Sequence, residues 1–450
     1  MLLDGTNPYA KPLPDTLELT WDDFTCGLSA ANAAALQRPV EWGVLAYAAA
    51  DVEDLPAYLF DNVLQLKAVG SSDDVHVLSF FEGPLLTDTI FARFEGTTQF
   101  ADDVMLRWVK RHANDVATLT SALEISAFFP ARKRVVFVSG HGRGWRGLLQ
   151  DLDIARKRYL DAGHLKLPGP NDDCKAHLRA AQTEVQNRFN ATLAESRNGP
   201  APRYDVMALD ACEMGNLETL VTLAPHAGII VVSQNQIPKQ GYPYASVLAR
   251  LREQPQQSAV EFATYLVNET KRYHAEVAPA RRVTQIAIAS DALPPFMDAL
   301  SALIDALGTM ADDAEFAAVQ TAIDHAQYYT GTGSIDLKTF LTGVAAGHPR
   351  AAAQAAAAEA LRRWDAMVVA VSTIEGADTH GLAIYAPAPD QLRRDYFEVA
   401  SVLPLRIWRW AQFLAAYTMR RLGPTAANHA TLSDMLAIPE GVEVRFNDAP

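Results

Sequence analysis

Residues 134–145, RVVFVSGHGRGW, change character half-way along. Val135, Val136, Phe137 and Val138 form a β-branched and aromatic run without charge, which reads as a strand buried on both faces. At its carboxyl end follows Ser139-Gly140-His141-Gly142, a Gly-rich loop. Residues 204–216, YDVMALDACEMGN, repeat this pattern: an apolar run ends at Leu209-Asp210 and delivers Ala211-Cys212 to a turn before a helix. Similar short apolar runs lie at 43–50, 75–81, 228–233 and 285–289, and segments with helical spacing lie between at 57–69, 119–129 and 172–196. Doubly buried strands that alternate with helices predict an α/β protein with a mainly parallel, doubly wound sheet sandwiched by helices.

Outward from this core the text divides in three. Residues 1–40 are punctuated by Pro and Asp and read as an extension, 41–292 as the α/β core, and 293–450 as a mostly helical addition. The addition has helical stretches at 293–307, 313–328, 335–344 and 351–366, a strand-like run at 367–372, a further strand at 381–386 and a last helix around 403–422. The Ala tract at 351–358 reads as a packed helix, because Ala is the best helix former.

The 450 residues are 49% hydrophobic and 20% charged, which excludes disorder across the chain. A formal charge of −14 and the lack of a basic stripe argue against nucleic acid as a partner. Apolar runs are strand-sized, so no membrane partner is expected. The opening MLLDGTNPYAKPLPD has no basic segment followed by an apolar stretch, and the expectation is a soluble, cytoplasmic protein without a signal peptide.

Three cysteines, Cys26, Cys174 and Cys212, are too few for a disulfide framework and lack zinc spacing. Cys26 and Cys174 read as packing residues. Cys212 stands apart, because a strand-to-helix turn exposes its thiol at the sheet edge, where amides and a helix dipole favour the thiolate. His141, beyond a neighbouring strand, is placed to take its proton, and the amides of Gly142 and Cys212 could hold an oxyanion. His380-Gly381 is a rival pair, but it precedes its strand and so falls at the opposite sheet edge in a parallel arrangement. The remaining histidines show no paired metal spacing. Trp145 reads equally as a cleft wall or as packing.

These segments resemble the clostripain-like cysteine peptidases of the caspase-like group. The resemblance runs from about Trp42 to Tyr417. It rests on WGVLAYAAAD (42–51), FFPARKRVVFVSGHGRGW (128–145), LDACEMGNLE (209–218), VVSQNQIPKQGYPY (231–244), QIAIASDAL (285–293), SIDLKTFL (334–341) and HGLAIYAP (380–387). It implies a caspase-like fold and a Cys–His dyad, Cys212 and His141, hydrolysing peptide bonds in protein or peptide substrates. It also implies that Asp210, two before the cysteine, lines the primary specificity pocket with Ser233 and Gln240. A buried carboxylate there favours Arg over Lys through bidentate pairing, although an Asp at a strand end also serves as a helix cap.

Two departures from the family pattern stand out. Ser233-Gln234 replaces Ser-Glu, and Gln240 stands where the family's second pocket Asp would be, beside Lys239. The expectation is a pocket with one negative charge fewer. The resemblance further implies a zymogen cut between the His and Cys segments, where Arg156, Lys157, Arg158, Arg197 and Arg203 are candidate sites for self-cleavage or for an activating protease. No cofactor or metal is expected, with calcium dependence left open. Two other readings stand beside this one: a catalytically silent interaction protein of the same fold, and a cysteine hydrolase of small amides.

Overall fold

A computed structural model describes residues 11–12, 29–149 and 203–423, except 53, 84–87, 97–102, 110–112, 114–115, 280, 309, 311, 375–378 and 404–405. The helix read at 172–196, the sites Arg156, Lys157, Arg158 and Arg197, and Cys26 and Cys174 lie outside the described residues.

The main sheet contains β1 (Lys11–Pro12), β2 (Val40–Ala49), β3 (Val75–Glu82), β4 (Asp88–Arg93), β5 (Val104–Val109), β6 (Ala131–Ser139), β7 (Tyr204–Asp210), β8 (Ala227–Ser233) and β9 (Val283–Ala289). A small second sheet takes β10 (Tyr328–Tyr329) and β11 (Ser334–Asp336); β12 (Val368–Ile374) returns to the main sheet and β13 (Ala383–Tyr385) to the small one. The main order is β1-β5-β4-β3-β2-β6-β7-β8-β9-β12, and the five central strands from β3 to β8 run parallel. β4, β9 and β12 pair antiparallel with their neighbours, and β5 pairs antiparallel with β4 and parallel with β1. The fold is caspase-like and α/β, with helices on both faces.

Alternation along the central strands explains the sandwich. Val135 and Phe137 face one core with Val206 and Ala208, whereas Val136 and Val138 face the other with Met207 and Leu209. Helices Pro56–Val69, Tyr244–Glu253 and Ala259–Val277 close the first face. Val116–Ala127, Leu217–Leu223, Leu293–Leu307, Leu337–Gly347, Ala351–Met367 and Ile407–Leu422 contribute to the second.

Some elements differ from the sequence reading. The antiparallel pair β4 and β5 and the helices Tyr244–Glu253 and Ala259–Val277 were not foreseen. Those two helices matter for direction: a single crossover helix would have made the next strand parallel, whereas two in succession bring the chain back to the edge it left, so β9 runs antiparallel to β8. Inside the predicted extension, Ala30–Leu36 is helical, and Lys11–Pro12 pairs with β5.

Phe137 is fully buried on the central strand and meets the rings of Tyr242 and Tyr244 edge-on at 5.9 and 5.2 Å. Phe137→Ala is expected to cost about 3–5 kcal/mol and to lower the urea midpoint clearly. Val260→Ala, at a side chain 53% exposed, should shift stability by no more than about 0.5 kcal/mol.

Candidate active site

Four adjacent strands, β2, β6, β7 and β8, deliver their carboxyl-end loops to one place. Ser139 of β6 is paired with Asp210 of β7, so Gly140-His141 and Ala211-Cys212 leave the sheet side by side. The crevice lies beside the point where the strand order turns from β2 outward to β3 on one side and β6 on the other. A cavity of about 620 Å³ opens there, lined among others by Asp54, His141, Asp210, Cys212, Lys239 and Gln240.

The two loops touch at the backbone. A Cβ on Gly142 would collide with the Cys212 carbonyl oxygen and lie 2.8 Å from the Met214 sulfur, so glycine is required for this approach. In the His loop, Leu149 N–H donates to His141 O and Arg143 N–H to Gly147 O. In the Cys loop, Glu213 and Gly215 donate to Asn235 and Ser233. Gly142 and Cys212 donate their N–H groups to no backbone carbonyl among the described residues. Glu213 adopts a left-handed conformation, φ 59°, held by its own N–H on Asn235 O at 3.0 Å and by Asn216 Nδ2 on its carbonyl at 3.1 Å. Such a non-glycine residue beside a cleft is a common mark of a functional turn.

Cys212 is partly exposed, and its sulfur accepts from Ile237 N–H at 3.4 Å. The expectation of a stabilised thiolate is corrected. Burial pushes the thiol up to about 11, and the carboxylates of Glu213, Asp210 and Asp54 add to the rise against the Ile237 hydrogen bond. The following helix begins only at Leu217, with Asn216 as its cap, so Cys212 is not one of its first-turn residues, where the dipole acts. His141 is likewise engaged elsewhere: its Nε2 lies 2.7 Å from Asp54 Oδ1, while Lys239 Nζ holds Asp54 Oδ2 at 2.7 Å. Sequence reasoning missed Asp54. The signal was the acidic Asp51-Val52-Glu53-Asp54 run just beyond the carboxyl end of the first core strand.

Asp210 is 4% exposed. Its Oδ2 accepts from Tyr242 N–H at 3.1 Å and Tyr244 O–H at 3.0 Å, so it does not cap the next helix. Oδ1 is buried without a partner. Burial raises the acid to about 6 against the hydrogen bonds of Tyr242 and Tyr244. Gln240 lies in the cavity wall, but Ser233 is fully buried and donates its hydroxyl to Asn235 O at 2.9 Å, so its assignment to substrate binding is corrected: it braces the loop.

Gln234 explains one departure from the family pattern. Its Nε2 donates to buried Asp336 at 2.9 Å and its Oε1 accepts Gly381 N–H at 2.7 Å. A glutamate there would face Asp336 with like charge. His380 Nδ1 donates to the Asp336 carboxylate, 2.9 Å from its Oδ1. The expected opposite-edge placement of His380-Gly381 is corrected, because Gly381 packs on Gly215 and Ala383 bridges Asn216 at the cysteine edge. The reason is topological: β13 belongs to the small sheet, and the chain reaches it from the carboxyl end of β12. Trp145 is packing: it is 1% exposed and donates to Thr332 O at 2.8 Å.

The comparisons with known proteins fit this geometry. Residues 182–345 match the Clostripain family. That clostripain-like segment contains Cys212, Gln234 and Gln240, and ends before β12; His141 lies outside it. Similar solved structures include a secreted C11 cysteine protease from Bacteroides thetaiotaomicron in complex with an irreversible peptide inhibitor. It is 15% identical with a TM-score of 0.55, over 84% of this chain and 99% of that one. An inactive zymogen C11 protease from Parabacteroides distasonis gives 15% and 0.53, over 84% and 97%. A further secreted C11 cysteine protease from Bacteroides thetaiotaomicron gives 12% and 0.56, over 82% and 99%. At such identities the likeness shows the fold. Among curated protein sequences nothing matches the chain. The clostripain-family match supports cysteine peptidase activity, and the solved structures support the fold.

With the thiol held near 11, the free protein carries little thiolate at neutral pH. Alkylation of Cys212 by iodoacetamide, followed by mass spectrometry of its peptide, should accelerate about tenfold per pH unit between pH 7 and 10. A rate that levels off near pH 7 would contradict the burial account.

Proposed function

We propose that the chain is an endopeptidase that cleaves after basic residues, Arg before Lys, through a Cys212–His141 dyad. The observation that carries this reading is the convergence of His141, Cys212 and an almost fully buried Asp210 in one cavity at adjacent strand ends. In the proposed cycle the Cys212 thiol passes its proton to His141 as sulfur attacks the peptide carbonyl. The amides of Gly142 and Cys212 receive the oxyanion. The imidazolium then gives the proton to the leaving amine, which departs as the acyl-thioester forms. A water molecule, losing a proton to His141, attacks the thioester, and the carboxylic product leaves as the thiol is restored.

Coupling of the first proton transfer to substrate binding fits a thiol that is protonated in the free protein and not yet hydrogen-bonded to His141. A guanidinium entering the cavity would be drawn to the Asp210 carboxylate in its wall, whose buried Oδ1 has no hydrogen-bond partner. Gln240 contributes a neutral wall, and Lys239 spends its charge on Asp54. The same uncoupled site suits maturation by cleavage in the stretch 150–203, by this enzyme or by an activating protease. Of the candidate points, Arg203 lies among the described residues, where it holds Asp291 at 2.5 Å. The raised thiol also favours a second reading, a catalytically silent protein of the same fold.

Fluorogenic peptides varied before the scissile bond test the proposal, with the protein assayed both intact and nicked. Turnover of Arg peptides, abolished in Cys212→Ala, is expected, and no turnover in either form would favour the silent reading. Asp210→Asn should raise KM for Arg peptides roughly 10- to 100-fold, the worth of a charge-assisted hydrogen bond, with little change in kcat. Because folding raises the Asp210 acid to about 6, its charge is lost as pH falls through that value, so KM for Arg peptides should climb below pH 6 in the unmutated protein and stay flat in Asp210→Asn. N-terminal sequencing of the purified protein and its Cys212→Ala form tests processing: one intact chain in both, with full activity in the unmutated protein, would exclude obligatory cleavage.

A further inference from the structure

The Asp54 carboxylate occupies an unusual position in the cavity. It stands in the loop beyond β2, 87 residues before His141 in sequence, yet Oδ1 is 2.7 Å from His141 Nε2. Its second oxygen is held by Lys239 Nζ at 2.7 Å, from the loop beyond β8. Burial pulls the Asp54 acid upward, but the hydrogen bonds and charges of Lys239 and His141 outweigh it and hold the carboxyl below its usual range, so it is ionised at neutral pH. An ionised carboxylate is acceptor-only. The ring nitrogen facing it must therefore carry the proton, which leaves Nδ1 of the neutral imidazole with its lone pair free. A base that takes a thiol proton needs that lone pair, and a ring free to exchange tautomers would offer it only part of the time.

We propose that Asp54 is a positioning residue that fixes the His141 ring with Nε2 protonated and Nδ1 presented to Cys212, and that Lys239 steadies the carboxylate in that role. The proposal rests on the Cys212–His141 reading for its catalytic consequence, but not for the tautomer itself. The arrangement links three loops: β2 supplies the carboxylate, β6 the histidine and β8 the lysine, which sits next to the pocket residue Gln240. After Nδ1 takes the thiol proton, the resulting imidazolium is paired with Asp54, which stabilises the charge separation that precedes attack.

The test has two arms. The first needs no turnover: ¹⁵N-histidine-labelled Cys212→Ala protein, with the His141 signal assigned by its loss in Cys212→Ala/His141→Gln, reports which ring nitrogen carries the proton at a pH where the ring is neutral. The Nε2-protonated form is expected to dominate, and adding Asp54→Ala should give a mixture of tautomers. The second arm is kinetic: Asp54→Ala should lower kcat on the order of 10²-fold with KM changed less than about twofold, and Asp54→Glu should recover part of the loss. An unchanged tautomer in the Asp54→Ala background, or a rise in KM at constant kcat, would overturn the positioning role. If the unmutated protein turns over no peptide at all, the peptidase reading fails, and the first arm still decides the role of Asp54 by itself.

Discussion

The backbone of Gly142 rests against the carbonyl of Cys212, with no room for a side chain between them. Everything at the cavity depends on that approach. It becomes available because β6 and β7 are adjacent and end in register, Ser139 opposite Asp210, so that two loops distant in sequence emerge at the same height. The apolar alternation of these strands fixes the register by burying both faces, and a slip of one residue would turn Val136 and Phe137 into the wrong cores. The core thus acts on chemistry at one remove, by setting where the loops begin.

Burial has opposite uses for two acidic groups of the site. For the thiol of Cys212 it disfavours the anion, and nearby carboxylates disfavour it further. For Asp210 it raises the acid only to about 6, because Tyr242 and Tyr244 solvate one oxygen, and the group remains mostly charged at neutral pH. On the proposed reading, a cavity with an ionised floor and a protonated Cys212 would be quiet by itself and would be completed by a cationic substrate side chain that brings a compensating charge. The Asp54–Lys239 pair links the loop beyond β8 to the His141 ring.

Much of this was legible in the chain. The runs at 135–138 and 206–209 have a composition that only a doubly buried strand explains, and Gly-His-Gly and Asp-Ala-Cys at their ends marked the edge where loops collect. What escaped depends on tertiary placement. Asp54 gains meaning only when β2 lies beside β6, and no spacing in the sequence announces that pairing. The protonation of Cys212 follows from enclosure by segments from three other strands. The antiparallel turn at β9 followed from two helices, 244–253 and 259–277, where the sequence reading had drawn none, and His380 changed edges for a related reason. Ser233 was assigned from family pattern, which records residue type but not the direction a hydroxyl faces.

The central claim is that Cys212 is a nucleophile directed by substrate charge at Asp210. Its most direct measurement is covalent capture: the folded protein is treated at neutral pH with a peptidyl arginyl chloromethyl ketone and with its norleucyl counterpart, and the labelled cysteine and rate are read by mass spectrometry. The account predicts a single adduct on Cys212, formed much faster from the arginyl reagent and suppressed in His141→Ala. Absence of an adduct on Cys212, or equal rates for the two reagents, would contradict it.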